Sequence, residues 1–206
     1  MTKAITKAII LAAGMGSRLK EMGEDIPKGF IRLDETSIIE HSLNALISRG
    51  IQEVIIVTGH KYEFYEELKE TYPQIRTIKN TRFAETGTMC SLGHARDFVD
   101  ADFILLESDL IYDPIVITEL LNSPYKDCLL LSGTTNAGDE VYVEADENRM
   151  TAISKSRDHI KNSVGEYVGI AKLSKQIYDK LLQVADPERK LSYDMDCMAH
   201  IAKEHP

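Results

Sequence analysis

Residues 7–28, KAIILAAGMGSRLKEMGEDIPK, decide how the chain is read. The run Ala8 to Ala13 is apolar throughout and ends on glycine, the pattern of a strand buried on both faces of a parallel sheet. A loop leaving the C-terminal edge of such a strand lies where open α/β sheets bind ligands. Gly14 and Gly16 let its backbone curl so that successive N–H groups face one anion, and the N-terminus of a following helix would add positive potential. A phosphate suits such a loop.

Working outward, FIRLDE (30–35) is a short strand-like piece, and IIEHSLNALISRG (38–50) spaces Ile38, Ile39, Leu43, Leu46 and Ile47 along one helix face with Gly50 as a stop. EVIIVTG (53–59) predicts a second buried strand, KYEFYEELKETYP (61–73) a helix, IRTIKN (75–80) a strand, TMCSLGHARDFV (88–99) a helix and FILLESDLIY (103–112) a third strong strand. Strands alternating with helices imply βαβ crossovers. After the short helix ITELLNS (117–123), the strands CLLLSG, VYVEAD, MTAISK and GEYVGIAKLS follow closely, and KQIYDKLLQVA and DMDCMAHIAKE return to helix. The expected fold class is α/β: a Rossmann-like sheet, mostly parallel or mixed, with helices on both faces and a small β-rich lid. Neither a repeat nor a Pro/Ser-rich linker divides residues 1–206, so one domain is expected.

A net charge of −9 argues against a general nucleic-acid binder, which needs a basic face, though a local basic pocket remains allowed. Cys90, Cys128 and Cys197 are scattered and lack CxxC spacing, which predicts reduced core thiols rather than disulfides or a zinc site. Lys3 and Lys7 ahead of an apolar stretch imitate a signal peptide, but the run is short and nothing approaches a membrane span. The expectation is a soluble, cytoplasmic protein without nucleic-acid or membrane partners; oligomeric state stays open.

Two familiar phosphate loops fit the opening poorly. A Walker loop needs GxxxxGK[ST], and Gly14 and Gly16 are followed instead by Ser17-Arg18-Leu19. In a GxGxxG fingerprint Leu19 would occupy the third glycine position. LAAGMGSRL (11–19) with Pro27-Lys28 resembles the signature of the nucleotidyltransferases that join a nucleoside triphosphate to a phosphorylated small molecule. Arg18 and Lys28 can approach one triphosphate from two sides and neutralise charge that builds as pyrophosphate leaves. The resemblance implies nucleotide binding by Leu11, Ala12, Ala13, Gly14, Gly16, Ser17, Arg18 and Lys28. It further implies that residues 1–125 or so form a nucleotide-binding half and about 126–206 an acceptor-binding half.

In FILLESDLIY the period-two alternation of a strand points Glu107 and Asp109 the same way. Two carboxylates at a strand end suit Mg²⁺, although Glu107 fits a helix cap or a surface pair equally well. The family resemblance assigns the metal to Asp109 alone. It also implies that the region of Asn80 and Thr86-Gly87-Thr88 reads the base, with an N-cap as the plainer role of Thr86 or Thr88.

IPKGF, ETGTM, LLESDLIYD, SGTTNAGDEVYVEAD, SKSRD and GEYVGIAKLS resemble, over nearly the whole chain, the cytidylyltransferases that activate 2-aminoethylphosphonate. The related phosphocholine cytidylyltransferases tend to use an aromatic box. This chain has no tryptophan, while GDEVYVEAD and YDMD supply carboxylates, which suit a primary ammonium. Asp139, Glu140 and Asp194 are the candidates for that ammonium, and Tyr193 for a pocket wall. Lys155, with Arg157, is the candidate for the acceptor's phosphonate. The implied catalytic set is Arg18, Lys28, Asp109 and Lys155, with CTP and a small phosphonate or phosphate as partners; His60, His94 and His159 receive no role. Phosphocholine or a sugar 1-phosphate is the alternative acceptor, and a non-catalytic nucleotide sensor the alternative class. Family members usually continue into a strand with a further acidic residue, often in Glu-Ile-Asp, which this sequence lacks. The chain is therefore expected either to be a piece of a longer protein or to hold the metal otherwise.

Overall fold

The computed structural model describes residues 4–16, 26–185 and 193–204. The opening apolar run forms strand β1 (Lys7–Ala12), and the next segments give β2 (Arg32–Leu33), β3 (Thr36–Ser37) and helix α1 (Ile38–Ile47). Then come β4 (Glu53–Thr58), α2 (Tyr62–Glu67), β5 (Ile75–Lys79), α3 (Thr88–His94), β6 (Phe103–Glu107) and α4 (Ile115–Asn122). The second half contributes β7 (Cys128–Ser132), β8 (Tyr142–Asp146), β9 (Arg149–Ser154), β10 (Ser163–Leu173), α5 (Lys175–Val184) and α6 (Asp194–Glu204). Ser37 starts α1 with a capping box: its hydroxyl accepts from Glu40 N–H, and its own N–H donates to Glu40 Oε2 at 2.9 Å.

Eight strands make one sheet in the order β5-β4-β1-β6-β10-β8-β9, with β7 paired to β10. β5, β4, β1 and β6 are parallel, and β10 runs antiparallel to β6, so the sheet is mixed. The strands expected in the second half extend this same sheet. β1 continues to β4 and β5 on one side, after which the chain crosses to β6 on the other. The strand order therefore reverses between β1 and β6, where open α/β sheets leave a crevice at their C-terminal edge.

Alternation along β1 divides the core. Ala8, Ile10 and Ala12 pack with Ile39, Leu43 and Leu46 of α1, Tyr65 of α2 and Ile117 of α4. Ile9 and Leu11 pack on the opposite face with Met89 and Leu92 of α3, Tyr178 of α5 and Met198 of α6. Each fully buried Ile or Leu contributes about 1.5–3 kcal/mol. Helices thus cover both faces, as the unbroken apolar strands require.

Two local expectations are corrected. The third strand stops at Glu107, where its register with β1 ends opposite Leu11, and Ser108 N–H donates to Leu11 O at 3.1 Å as the chain turns away. Asp109 therefore sits in a turn, not on the same strand as Glu107. Of the cysteines only Cys197 is fully buried; Cys90 and Cys128 are half-buried, and all three are free thiols. Among the described residues no helix is long and apolar enough to cross a membrane.

Candidate active site

A cleft of about 670 Å³ opens at the strand-order reversal. Leu11, Ala13, Gly14 and Gly16 line it from the end of β1, and Glu107, Ser108 and Asp109 from the end of β6. Ala12 is not among the lining residues, because its side chain faces the α1 layer of the core. Gly16 has φ +66, a left-handed conformation that costs an L side chain roughly 1–2 kcal/mol, and a Cβ there would lie 3.1 Å from Cγ of Lys28. The candidates Ser17 and Arg18 lie outside the described residues.

Lys28 opens a short 3₁₀ turn, Lys28–Phe30. Phe30 anchors that turn by edge contacts with Phe64 and Tyr65, ring centroids 5.3 and 5.0 Å away. Gly29 lies so close to the β6 turn that an added Cβ would meet Ser108 O at 2.9 Å. This packing carries Lys28 across the cleft mouth, where Nζ donates to Asp109 Oδ2 at 3.1 Å.

Thr86, Gly87 and Thr88 line the cleft ahead of and at the start of α3. Asn80 does not reach it. Fully buried, Asn80 donates to Thr86 Oγ1 and Ser91 Oγ, both at 3.1 Å, and accepts from Arg82 N–H at 2.9 Å. It holds the Thr86 loop in shape from behind. Thr88 is tied across the cleft instead: its hydroxyl donates to Asp194 Oδ1 at 2.8 Å and accepts from Asp194 N–H at 2.9 Å. The starts of α3 and α6 are thereby stapled together.

The second half supplies the far wall. Lys155, just beyond β9, enters the cleft with Nζ 5.7 Å from the ring centroid of Tyr193, which also lines it. Asp139 and Glu140 lie on the solvent side, Glu140 accepting from Gly138 N–H at 3.0 Å. Arg157 is not brought in: its guanidinium donates to Ile160 O at 2.6 Å and sits 5.5 Å from the Tyr142 ring.

Among the lining residues that the sequence did not single out are Glu166, Tyr167 and Tyr65. Glu166 is 5% exposed, and its Oε2 accepts from Thr135 N–H at 3.0 Å and Thr135 Oγ1 at 2.6 Å. The buried hydroxyl of Tyr167 has no hydrogen-bond partner among the described residues. Tyr65 lines the cleft as well, and burial pushes its phenol up to about 12. An acid inside the mostly apolar strand GEYVGIAKL was the available signal for Glu166.

The electrostatics are lopsided. Glu107, Asp109, Asp139, Glu140, Glu166 and Asp194 line the cleft against Lys28 and Lys155. Burial, then the carboxylates of Asp194 and Asp109, push Glu107 up to about 7, with Lys155 and Lys28 opposing. Burial likewise raises Asp194. Among the described residues the site carries more negative than positive charge.

A CMP-5'-(3-aminopropyl)phosphonate synthase of Streptomyces rubellomurinus is 34% identical over 145 residues, 68% of this chain and 23% of that protein. A 2-aminoethylphosphonate cytidylyltransferase of Lancefieldella rimae is 32% identical over 165 residues, 78% of this chain and 65% of its own length. The chain spans between 23% and 65% of the first curated relatives it matches. Among solved structures, the inositol-1-phosphate CTP transferase from T. maritima shares the fold, with a TM-score of 0.83 and 20% identity over 99% of this chain and 84% of that one. Residues 8–191 match the MobA-like NTP transferase domain, and the chain belongs to that family.

Proposed function

We propose that the chain transfers CMP from CTP to 2-aminoethylphosphonate, releasing pyrophosphate. The observation that carries this reading is the convergence of Lys28 from the nucleotide side and Lys155 from the far wall on one cleft at the strand-order reversal. Relatives that act on aminoalkylphosphonates favour the acceptor.

In this mechanism a phosphonate oxygen attacks the α-phosphorus in line. One P–O bond forms while the bond from the α-phosphorus to the bridging oxygen breaks, and its electron pair leaves on pyrophosphate. The attacking oxygen is already anionic, so no general base is needed. Lys155 orients it, the Gly14–Gly16 loop cradles the triphosphate, and Lys28 steadies the departing charge. Arg18 would act beside Lys28.

The donor set fits a hard divalent cation. Oxygen ligands are available on Asp109 and Glu107, and the carboxylates of Asp194 and Asp109, which add to burial in raising Glu107, favour added positive charge. Among the described residues no three His, Cys, Asp or Glu form a ready-made cage, so phosphates and water would complete the shell. Mg²⁺ held by Asp109, with Glu107 behind it, would neutralise phosphate oxygens.

Incubation with CTP, Mg²⁺ and either 2-aminoethylphosphonate, phosphocholine or glucose 1-phosphate, following pyrophosphate, tests the reading. Release with 2-aminoethylphosphonate is the expected outcome. Release with phosphocholine alone would overturn the acceptor, and tight CTP binding without release in any mixture would overturn the chemistry.

A further inference from the structure

Glu166 is a carboxylate removed from water without a cation: it is 5% exposed, and no described lysine, arginine or histidine forms an ion pair with it. Among the described residues Thr135 supplies both of the hydrogen bonds it receives, and both go to Oε2. Such a charge is costly to bury unless something pairs with it. Glu166 lines the cleft, whereas the next residue along β10, Tyr167, turns its ring to the other face of the sheet, into the cluster with Leu92 and Tyr178. Oε1 of Glu166 receives no hydrogen bond from the described residues and is left for a ligand group.

We propose that Glu166 is the counter-ion for a protonated amine on the acceptor. The inference rests on the nucleotidyltransferase reading above and defines its acceptors as ammonium-bearing phosphonates or phosphates. A primary ammonium offers three donors to such acceptors, whereas a quaternary ammonium offers none. The other carboxylates are placed less well for this task. Asp139 is exposed and Glu140 stands on the solvent side, where water and salt weaken their pull. Asp194 is already engaged by Thr88. Thr135 fixes the Glu166 carboxylate before the ligand arrives, so little is lost in ordering it.

The test compares 2-aminoethylphosphonate with propylphosphonate, which has a methyl group where the amine stood. In the wild type kcat/KM favours the amine, and in Glu166→Gln that preference falls by roughly 10- to 100-fold, the worth of a hydrogen bond to a charged group. Thr135→Val keeps the charge but removes one clamp, so a smaller fall is expected; it also serves if the glutamine variant fails to fold. An undiminished preference in both variants overturns the proposal. So does equal turnover of both acceptors by the wild type, an outcome that leaves nucleotidyl transfer standing. If no acceptor releases pyrophosphate, calorimetry of the two phosphonates decides: amine-selective binding that Glu166→Gln abolishes sustains the proposal while the activity falls, and equal binding overturns it.

Discussion

Lys28 Nζ stands 3.1 Å from Asp109 Oδ2 across 81 residues of sequence, joining the turn behind the glycine loop to the turn after β6. The pair spans the cleft mouth where the strand order reverses, and each side chain keeps contact with solvent, 25% and 31% exposed. Such a pair contributes about 0–1 kcal/mol to stability, so the fold depends little on it.

Lys28→Ala therefore separates function from folding. Loss of one preorganised cation at a developing charge lowers turnover by roughly 10²- to 10³-fold. The urea midpoint should move little, because Phe30 and Gly29 still anchor the turn. Pyrophosphate release and urea denaturation of the same preparation provide the check, and near-normal rates would remove Lys28 from the mechanism.

The reciprocal bonds between Thr88 and Asp194 hold the starts of α3 and α6 together across the cleft. Thr88→Val removes the hydroxyl at nearly constant volume and leaves the buried Asp194 without that donor. The expected cost is about 1–3 kcal/mol, read as a lower urea midpoint with an unchanged m-value. Acceptor KM should also rise, since α6 carries the wall that faces Lys155. A variant as stable as the wild type would show that the staple carries no strain-bearing role.

The fold was legible because its signals are local and strong. β1, β4 and β6 are continuous apolar runs, and α1 announces itself through the spacing of Ile38, Ile39, Leu43, Leu46 and Ile47 and through Gly50. The end of β6 was not legible: FILLESDLIY alternates smoothly, and only the loss of register beyond Leu11 and Glu107 turns Asp109 out of the sheet. In the site, the resemblance carried by LAAGMGSRL with Pro27-Lys28, by LLESDLIYD and by SKSRD picked out Lys28, Asp109 and Lys155, which the fold brings to one cleft. Asn80 and Arg157 were misleading because sequence gives their donor groups but not which neighbours consume them. Glu166 was hidden for the converse reason, a lone acid within an apolar strand whose exposure depends on how β10 meets the cleft.

Glu107 offers a test through pH. Its ordinary value is 4.5, and burial followed by the charges of Asp194 and Asp109 raises it to about 7 in the fold. Between those values the folded protein holds a proton that the unfolded chain has released, so folding stability falls as pH rises through this window. The contribution is fully present below 4.5 and fully lost above about 7, an effect of up to about 3 kcal/mol. Glu107→Gln has nearly the same shape and no charge to lose. In metal-free buffer the variant should match the wild type near pH 4.5 and exceed its urea midpoint near pH 8. Adding Mg²⁺ at the higher pH should narrow the difference, because a cation bound beside Asp109 stabilises the ionised glutamate only in the wild type. Parallel stability curves for the two proteins from acid to alkaline pH would mean that Glu107 binds its proton in the fold as it does in the unfolded chain, without the upward shift that burial beside Asp194 and Asp109 produces.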